Sequence, residues 1–255
     1  MKFTNKVAIV TGAAGAGIGQ GIARGLAKEG ANVVVSDAHA KRPFSLAEDI
    51  ARSMGVRTLG IQCDVSNLDQ VNNMVTKTMD TFGRIDILIN NAGVGFPGTK
   101  VVDMSDETWD RTIDICLKGT FYCCRAVLPI MISQKNGNIV NISSTAAWEV
   151  GKAGVADAPY VSAKAGVTAF TRMLAGEVGE YNIRVNGIAP AAIWNEFVER
   201  QFGKKYWENV SKLCLVGRYG TPDDIAKGVV FLVSDDASYI TGEIMTIAGG
   251  RSMHP

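Results

Sequence analysis

Short, continuously apolar segments alternate along this chain with longer segments of helical periodicity, and this alternation constrains the fold more than any other feature. Apolar runs without interleaved polar residues are typical of strands buried on both faces, as in parallel sheets. About seven such strands are predicted, at residues 7–10, 32–36, 58–62, 85–90, 138–142, 184–189 and 243–248.

Segments with helical spacing lie between the predicted strands, at residues 18–29, 45–54, 68–82, 106–131, 158–180 and 223–234. Two of them begin with capping residues followed by acids, at Ser105 and at Thr221. A strand–helix alternation of this kind predicts an α/β fold, in which helices flank both faces of a doubly wound parallel sheet. No linker, repeat or low-complexity tract interrupts the chain, so we expect residues 1–255 to form a single domain.

Two regions depart from the alternation, at residues 146–159 and at residues 191–220. The second is a long insertion rich in large aromatic side chains. Insertions of this length are usually lids or binding loops, and we expect 191–220 to bind substrate. The alternative is a pair of small helices that pack their own aromatic residues, and the two interpretations are compatible.

Composition excludes several classes of function. A formal net charge of +1 gives no electrostatic reason to expect a nucleic acid or a membrane surface as partner. No run reaches the roughly 18 apolar residues of a membrane span. Two histidines leave little for a zinc site or a Ser-His-Asp triad, so no metal is expected. Five cysteines without C-x-x-C spacing are typical of reduced core thiols, and we expect a cytoplasmic protein.

A glycine-rich loop at residues 11–19 follows the first strand directly, and a helix begins behind it. Glycines in this context permit a tight turn, close approach of a pyrophosphate and close helix–strand packing. The N-terminus of the helix offers free N–H groups and the positive end of its dipole. We therefore predict a dinucleotide site that includes Gly12, Gly17, Ile18 and Gly19. The alternative is a glycine-rich turn that only lets the helix pack.

Asp37 ends the second predicted strand. A carboxylate at this position can accept hydrogen bonds from both adenosine ribose hydroxyls and repels a 2′-phosphate, so it favours NAD over NADP. Lys41 and Arg42 follow closely and would weaken that preference. The alternative is an aspartate that only forms a turn at the end of the strand.

Tyr160 and Lys164 are four residues apart in a predicted helix and would therefore share one face. An ammonium beside a phenol favours the phenolate, so we expect the pKa of Tyr160 to move down toward the working pH. A phenol of this kind is a candidate general acid or base. The pair is common on surface helices, and its significance depends on the other motifs.

Taken together, these residues resemble the short-chain dehydrogenase/reductase family over essentially the whole chain. The resemblance implies a Rossmann-like fold, a nicotinamide cofactor, hydride transfer at a carbinol or carbonyl carbon, and usually a tetramer. The matching motifs are Thr11-Gly12 with Gly17-Ile18-Gly19, Cys63-Asp64-Val65, Asn90-Asn91-Ala92-Gly93, Asn141-Ile142-Ser143-Ser144, Tyr160 with Lys164, and Arg184-Val185-Asn186.

The resemblance also implies roles for single residues. Ser144 would hydrogen-bond the substrate oxygen, Tyr160 would take or give the hydroxyl proton, and Lys164 would hold the nicotinamide ribose. Further contacts with the cofactor are implied at Asp64 and Val65 (adenine), at Asn90 and Ala92 (along the cofactor), and at Ile193 (carboxamide).

Three departures from the family pattern stand out. The glycine loop carries four residues between Gly12 and Gly17, where the family usually has three, so its path is expected to bulge. Cys116 stands where the family normally has a catalytic asparagine, and a thiol is a poor replacement for an amide. Pro190-Ala191 replaces the usual Pro-Gly.

The loop length, Cys116 and the ending Ala248-Gly-Gly-Arg-Ser252 resemble more narrowly the members that act on hydroxyacyl-CoA thioesters, including those of steroid-ring and aromatic degradation. Arg200, Lys204 and Lys205 would then meet CoA phosphates, or else form a solvated charged face. The expected activity is an NAD-dependent secondary-alcohol dehydrogenase. Two alternatives remain open, a non-catalytic subunit supporting a catalytic partner and a polyol or sugar dehydrogenase. A homotetramer or a hetero-oligomer with a related subunit is expected.

Overall fold

The computed structural model describes residues 1–149 and 157–253, and these build a seven-stranded, wholly parallel sheet. The strand order is β3-β2-β1-β4-β5-β6-β7. The predicted Rossmann-like, doubly wound architecture is therefore confirmed. The strands are β1 (Val7–Val10), β2 (Asn32–Asp37), β3 (Thr58–Gln62), β4 (Ile87–Asn90), β5 (Gly137–Ile142), β6 (Ile183–Pro190) and β7 (Ile244–Ile247).

The helices agree with the predicted segments within a few residues and add two within the insertion. The Ser105 hydroxyl accepts a hydrogen bond from the Thr108 N–H at 3.2 Å. Thr221 and Asp224 form a reciprocal capping box, as the sequence indicates. The α-helices are α1 (Ile18–Lys28), α2 (Arg42–Met54), α3 (Leu68–Phe82), α4 (Asp106–Ile113), α5 (Gly119–Gln134), α6 (Ala158–Val178), α7 (Glu196–Phe202), α8 (Lys204–Leu213) and α9 (Pro222–Val233).

Each central strand supplies side chains to two cores, one on each face of the sheet. In β1, Ala8 and Val10 face the core that is covered by α1, α2 and α9. Val7 and Ile9 face the core that is covered by α3, α5 and α6. The strand order reverses between β1 and β4, which opens a crevice at the carboxyl ends of the strands, where ligands of such sheets bind.

The predicted helix at 106–131 continues to Gln134 and is not regular. Its middle turn, Asp114–Lys118, is a wider π turn that joins α4 to α5 and contains Cys116. By length and apolar composition the run Asp106–Gln134 would suit a membrane span. One face of α5, with Cys123, Val127 and Met131, is nevertheless fully buried in the core on one side of the sheet.

Strand β4 begins at Ile87, two residues later than predicted, because Asp86 takes part in side-chain hydrogen bonding. Its carboxylate accepts the N–H of Val7 at 2.9 Å and two hydrogen bonds from Arg84 at 2.8 and 2.6 Å. Asp86 is 1% exposed and closes the amino-terminal edge of the sheet.

The 191–220 insertion forms α7 and α8, and the aromatic residues of this region pack together. Trp207 is buried, and its ring lies 5.3 Å from that of Tyr219 and 5.2 Å from that of Tyr206. The alternative of two small helices packing their own aromatics is therefore correct. The second irregular region, 146–159, lies partly outside the described residues.

Candidate active site

Ser144, Tyr160 and Lys164 line one cavity of about 520 Å³ at the carboxyl ends of β4, β5 and β6. Ser144 follows β5 directly, whereas Tyr160 and Lys164 project from the first turns of α6. The remaining wall is mostly apolar and comes from the segment after β4, the end of β6 and the insertion. Its residues include Ile18, Val94, Pro97, Ile142, Val161, Pro190, Ile193, Val198, Tyr206 and Trp207.

Lys164 is only 3% exposed, and hydrogen bonds hold it in place. Its Nζ donates to the Ile142 carbonyl at 2.6 Å and lies 5.6 Å from the centre of the Tyr160 ring. Its own carbonyl accepts hydrogen bonds from Ser143 and Thr168 at 2.9 and 3.1 Å. The lysine is thereby fixed between the tyrosine and the end of β5, where a buried ammonium needs such partners.

The Ser144 hydroxyl accepts a hydrogen bond from the Ala146 N–H at 3.2 Å. A hydroxyl that accepts from the backbone keeps its own hydrogen for donation to a ligand oxygen. Ser143, its neighbour, is buried and bonds to α6, so it supports the site structurally.

Cys116 makes a contact with the segment after β4 that the sequence does not indicate. It is fully buried, and its sulfur accepts the Val94 N–H and donates to the Val94 carbonyl, both at 3.3 Å. The π turn brings the sulfur within reach of both groups, and the expectation that a thiol poorly replaces the family's amide stays a prediction. A methyl group placed on Gly93 would lie 3.5 Å from this sulfur and 3.4 Å from Lys164 Nζ.

The glycine loop has two kinds of glycine. Gly12 has φ +60°, and a Cβ there would lie 2.7 Å from the Ala92 Cα. A Cβ on Gly19 would lie 2.4 Å from the Gly12 carbonyl oxygen, so both glycines are required by packing.

Gly15 and Gly17 are not crowded by the protein. A Cβ on Gly15 would meet nothing within 4 Å, and one on Gly17 would meet only the Asn195 amide at 3.8 Å. Gly17 also begins α1 without a side-chain cap, so N–H groups of the first turn are open to a ligand. Open space at these two glycines fits a bound pyrophosphate.

Asp37 lies at the end of β2 beside the glycine loop. Its carboxylate accepts the Ala14 N–H at 2.9 Å and the His39 N–H at 3.0 Å. The ring of His39 in turn accepts the N–H groups of Lys41 and Arg42 at 3.1 and 3.2 Å. Asp37 therefore does form a turn, as the alternative interpretation holds.

The other predicted cofactor residues lie at the same edge of the sheet. The Asp64 carboxylate accepts two hydrogen bonds from Ser66, and Val65 is buried against Gly119. The Asn90 side chain is buried and donates to Asn141 at 2.8 Å. Only the backbone of such buried residues can meet a cofactor. The roles of Asp64, Val65, Asn90 and Ala92 in cofactor binding remain predictions, while Ile193 does line the cavity.

Three residues of the site have no role assigned to them from the sequence. The Asn91 amide donates to the carbonyls of Thr11 and Gly12 at 3.0 and 2.9 Å and so ties the glycine loop to β4. Asn195 caps α7 and lines the cavity. Asp157 caps α6 and also lines the cavity. A cap signal marks Asn195 and Asp157 in the sequence, but their proximity to the site depends on the fold.

The basic residues of the insertion are solvated. Arg200 lies 3.6 Å from Glu196 in an exposed pair, and Lys204 and Lys205 are exposed at the start of α8. Their arrangement fits the solvated charged face that the sequence left open.

Comparison with known proteins finds one family over nearly the whole chain. The family model described as enoyl-(acyl carrier protein) reductase matches residues 12–252. Similar proteins include the (2S)-[(R)-hydroxy(phenyl)methyl]succinyl-CoA dehydrogenase subunit BbsD of Thauera aromatica, 41% identical with 99% of each chain covered. The (5R,7aS)-5-hydroxy-7a-methyl-1-oxo-2,3,5,6,7,7a-hexahydro-1H-indene-carboxyl-CoA reductase of Mycobacterium tuberculosis is 36% identical, with 95% of this chain and 92% of the relative covered.

The 3-oxoacyl-[acyl-carrier-protein] reductase FabG of Thermotoga maritima is 37% identical, with 98% of this chain and 99% of the relative covered. Among solved structures, the crystal structure of gox2181 superposes with a TM-score of 0.92 at 36% identity, covering 98% of this chain and 96% of the other. With the family model and these relatives spanning nearly all of its length, the chain belongs to the short-chain dehydrogenase/reductase family of oxidoreductases.

Proposed function

We propose that this protein is an NAD-dependent oxidoreductase that transfers a hydride between nicotinamide and a secondary alcohol or ketone. The substrate is a 3-hydroxyacyl-CoA or a similar bulky hydroxy compound. The observation that carries the proposal is the convergence of Ser144, Tyr160 and Lys164 on one largely apolar cavity beside the glycine loop.

The residues divide the chemistry among them. A bound nicotinamide supplies the hydride acceptor in oxidation and the hydride donor in reduction. In oxidation Tyr160 removes the hydroxyl proton while the carbinol carbon loses its hydride, and the C–O bond becomes a carbonyl. Ser144 donates to the reacting oxygen and orients it toward the phenol. Lys164 holds the nicotinamide ribose.

The preference for NAD is supported by the location of Asp37 next to the glycine loop. Its carboxylate would repel a 2′-phosphate on the ribose, whereas ribose hydroxyls can donate to it. Lys41 and Arg42 lie beyond the turn, and their backbones rather than their charges are engaged by His39. This arrangement favours NAD, which lacks the 2′-phosphate of NADP.

The substrate class is supported by the cavity and by the relatives. Aliphatic and aromatic side chains dominate the wall, which suits an apolar acyl group and is a poor match for a polyol. The relatives from Thauera aromatica and Mycobacterium tuberculosis are named as enzymes of CoA thioesters, and FabG is named for an acyl-carrier-protein thioester.

A non-catalytic subunit remains the second candidate, because the Thauera relative is named as a subunit. Cys116 at the usual asparagine position and the lengthened glycine loop also favour it, whereas the intact set of Ser144, Tyr160 and Lys164 favours an enzyme. We propose a homotetramer, with a hetero-oligomer containing a related subunit as the alternative. An apolar groove between α5 and α6, lined by Phe121, Phe170 and Met173, supports association through these helices.

We also propose a cytoplasmic location. All five cysteines are free and buried. Burial raises the pKa of the Cys63 thiol to about 11 and that of Cys124 to about 12. Free cysteines that form no disulfide suit a reducing compartment.

The test is a screen of nicotinamide reduction with NAD⁺ and NADP⁺, over hydroxyacyl-CoA thioesters and their free acids. The proposal expects turnover with the thioesters, a higher kcat/KM with NAD⁺ than with NADP⁺, and little turnover with the free acids. Turnover of polyols alone would instead favour a polyol or sugar dehydrogenase. Saturable NADH binding without turnover of any alcohol would favour the non-catalytic subunit.

A further inference from the structure

Residues 93–97 form the wall of the cavity that faces the catalytic helix, and two buried side chains fix this wall. Gly93, Val94, Gly95 and Pro97 all line the cavity. Cys116 holds the wall at Val94 through both backbone groups. The second fixed point is Phe96, and the group that holds it is the carboxylate of Asp157.

Asp157 uses its two oxygens for two different segments. Oδ1 accepts the Tyr160 N–H at 3.3 Å and so caps α6. Oδ2 accepts the Phe96 N–H in a short hydrogen bond. The residue is 6% exposed and lines the cavity. The two contacts use separate oxygen atoms, and serine and asparagine have only one acceptor oxygen each in their side chains.

Gly95 shows how closely this arrangement brings the wall to the tyrosine. A Cβ on Gly95 would lie 2.8 Å from Asp157 Oδ2 and 3.4 Å from the Tyr160 ring. The wall therefore packs directly on the ring of the catalytic tyrosine. A small displacement of Phe96 would change the space in which the reacting carbon and the phenol must meet.

We propose that Asp157 is a positioning residue, whose carboxylate fixes the 93–97 wall against the first turn of α6 and so sets the geometry of the cavity beside Tyr160. The effect on turnover rests on the proposed function, whereas the effect on the wall does not. Misplacing reacting groups by about 1 Å costs on the order of a hundredfold in rate. Loss of the Phe96 contact should therefore lower kcat by roughly tenfold to a hundredfold.

The test compares Asp157→Ser with Asn67→Ala. Serine still caps a helix, as Ser105 does for α4, but it cannot reach both segments. Asn67 caps α3 by accepting the Gln70 N–H at 3.1 Å, so its loss is a matched removal of a cap at another helix. Asp157→Asn serves as a second variant of nearly equal volume, should the serine variant fail to fold.

Amide hydrogen exchange measures directly whether the 93–97 wall is held in place. In Asp157→Ser the Phe96 amide should exchange at least tenfold faster, while the Tyr160 amide keeps its protection and Asn67→Ala leaves both unchanged. Unchanged Phe96 exchange in both Asp157 variants would overturn the proposal. This readout needs no substrate, so it decides the role of Asp157 in fixing the wall even if the protein turns over no alcohol.

Steady-state kinetics, with the substrate found in the screen, measure the consequence for turnover. Both Asp157 variants should lose kcat, with KM and the Kd for NADH within about threefold of the wild type, and Asn67→Ala should keep its kcat. Faster Phe96 exchange with an unchanged kcat would contradict the positioning role. A wild-type protein that is inactive on every substrate would count against the proposed function and not against the contact.

Discussion

Gly17 gives the sharpest test of why the glycine loop is rich in glycine. If Gly17 is there for a cofactor, Gly17→Ala should weaken cofactor binding and leave the fold nearly intact. If it is there for packing, stability should fall first. Gly83→Ala is the matched control, because Gly83 ends α3 with φ +73° far along the chain from the loop.

The structure sets the expected size of the loss in stability and of the loss in NADH affinity. A Cβ on Gly17 would meet only the flexible Asn195 amide at 3.8 Å, so alanine at this N-cap position should cost no more than about 1 kcal/mol of unfolding free energy. A Cβ on Gly83 meets nothing within 4 Å, but alanine there must adopt a left-handed conformation, which costs about 1–2 kcal/mol. A methyl group between the N-terminus of α1 and a pyrophosphate should raise the Kd for NADH at least tenfold, equivalent to about 1.4 kcal/mol.

Urea unfolding would measure stability, and quenching of protein fluorescence by NADH would measure binding. We expect Gly17→Ala to bind NADH weakly with nearly normal stability, and Gly83→Ala to bind normally with reduced stability. Normal NADH affinity in Gly17→Ala would refute the assignment of the glycine loop to the pyrophosphate.

Two further variants test the supports of the site and of the sheet. Cys116→Ala removes both sulfur contacts with Val94. We expect the free energy of unfolding, measured in urea, to fall by about 1–2 kcal/mol and kcat to fall as well. An unchanged kcat would contradict the role of the sulfur in holding the 93–97 wall. The pKa of Asp86 is raised by burial but lowered more by hydrogen bonds from Arg84 and the Val7 N–H, so it lies below its usual value. Stability from this carboxylate is complete above the unfolded-state pKa of about 3.9 and is lost as pH falls through the lower folded-state value. Asp86→Asn should therefore be less stable by about 1–2 kcal/mol at neutral pH, and the difference should narrow in acid; a difference independent of pH would contradict this assignment.

The sheet could be predicted from the sequence because its strands are apolar throughout and its helices carry start signals. Residues 7–10, 58–62 and 68–82 were predicted with the bounds that the structure has. The π turn at Asp114–Lys118 could not be predicted, because no glycine or proline within it marks a break in the helical pattern. The predicted start of β4 is two residues too early. The Asp86 carboxylate accepts the Val7 N–H and so takes the place of a backbone partner at this end of the strand.

The candidate site was predictable where a residue type and its place after a strand or on a helix suffice. Ser144, Tyr160 and Lys164 meet in one cavity for that reason. Asp157 was missed, since its second hydrogen bond reaches the Phe96 N–H, 61 positions away, and no local pattern records such a contact. The replacement of the family's asparagine by Cys116 was noticed, but its consequence depends on the backbone of Val94.

Nicotinamide reduction followed at 340 nm, in the wild type and in Tyr160→Phe, tests most directly whether this cavity performs hydride transfer. Phenylalanine keeps the ring that packs on the 93–97 wall and removes only the proton-handling hydroxyl. We predict that turnover of the preferred hydroxyacyl-CoA thioester falls by at least a hundredfold, while the Kd for NADH stays within about threefold. Wild-type turnover in Tyr160→Phe would contradict the account.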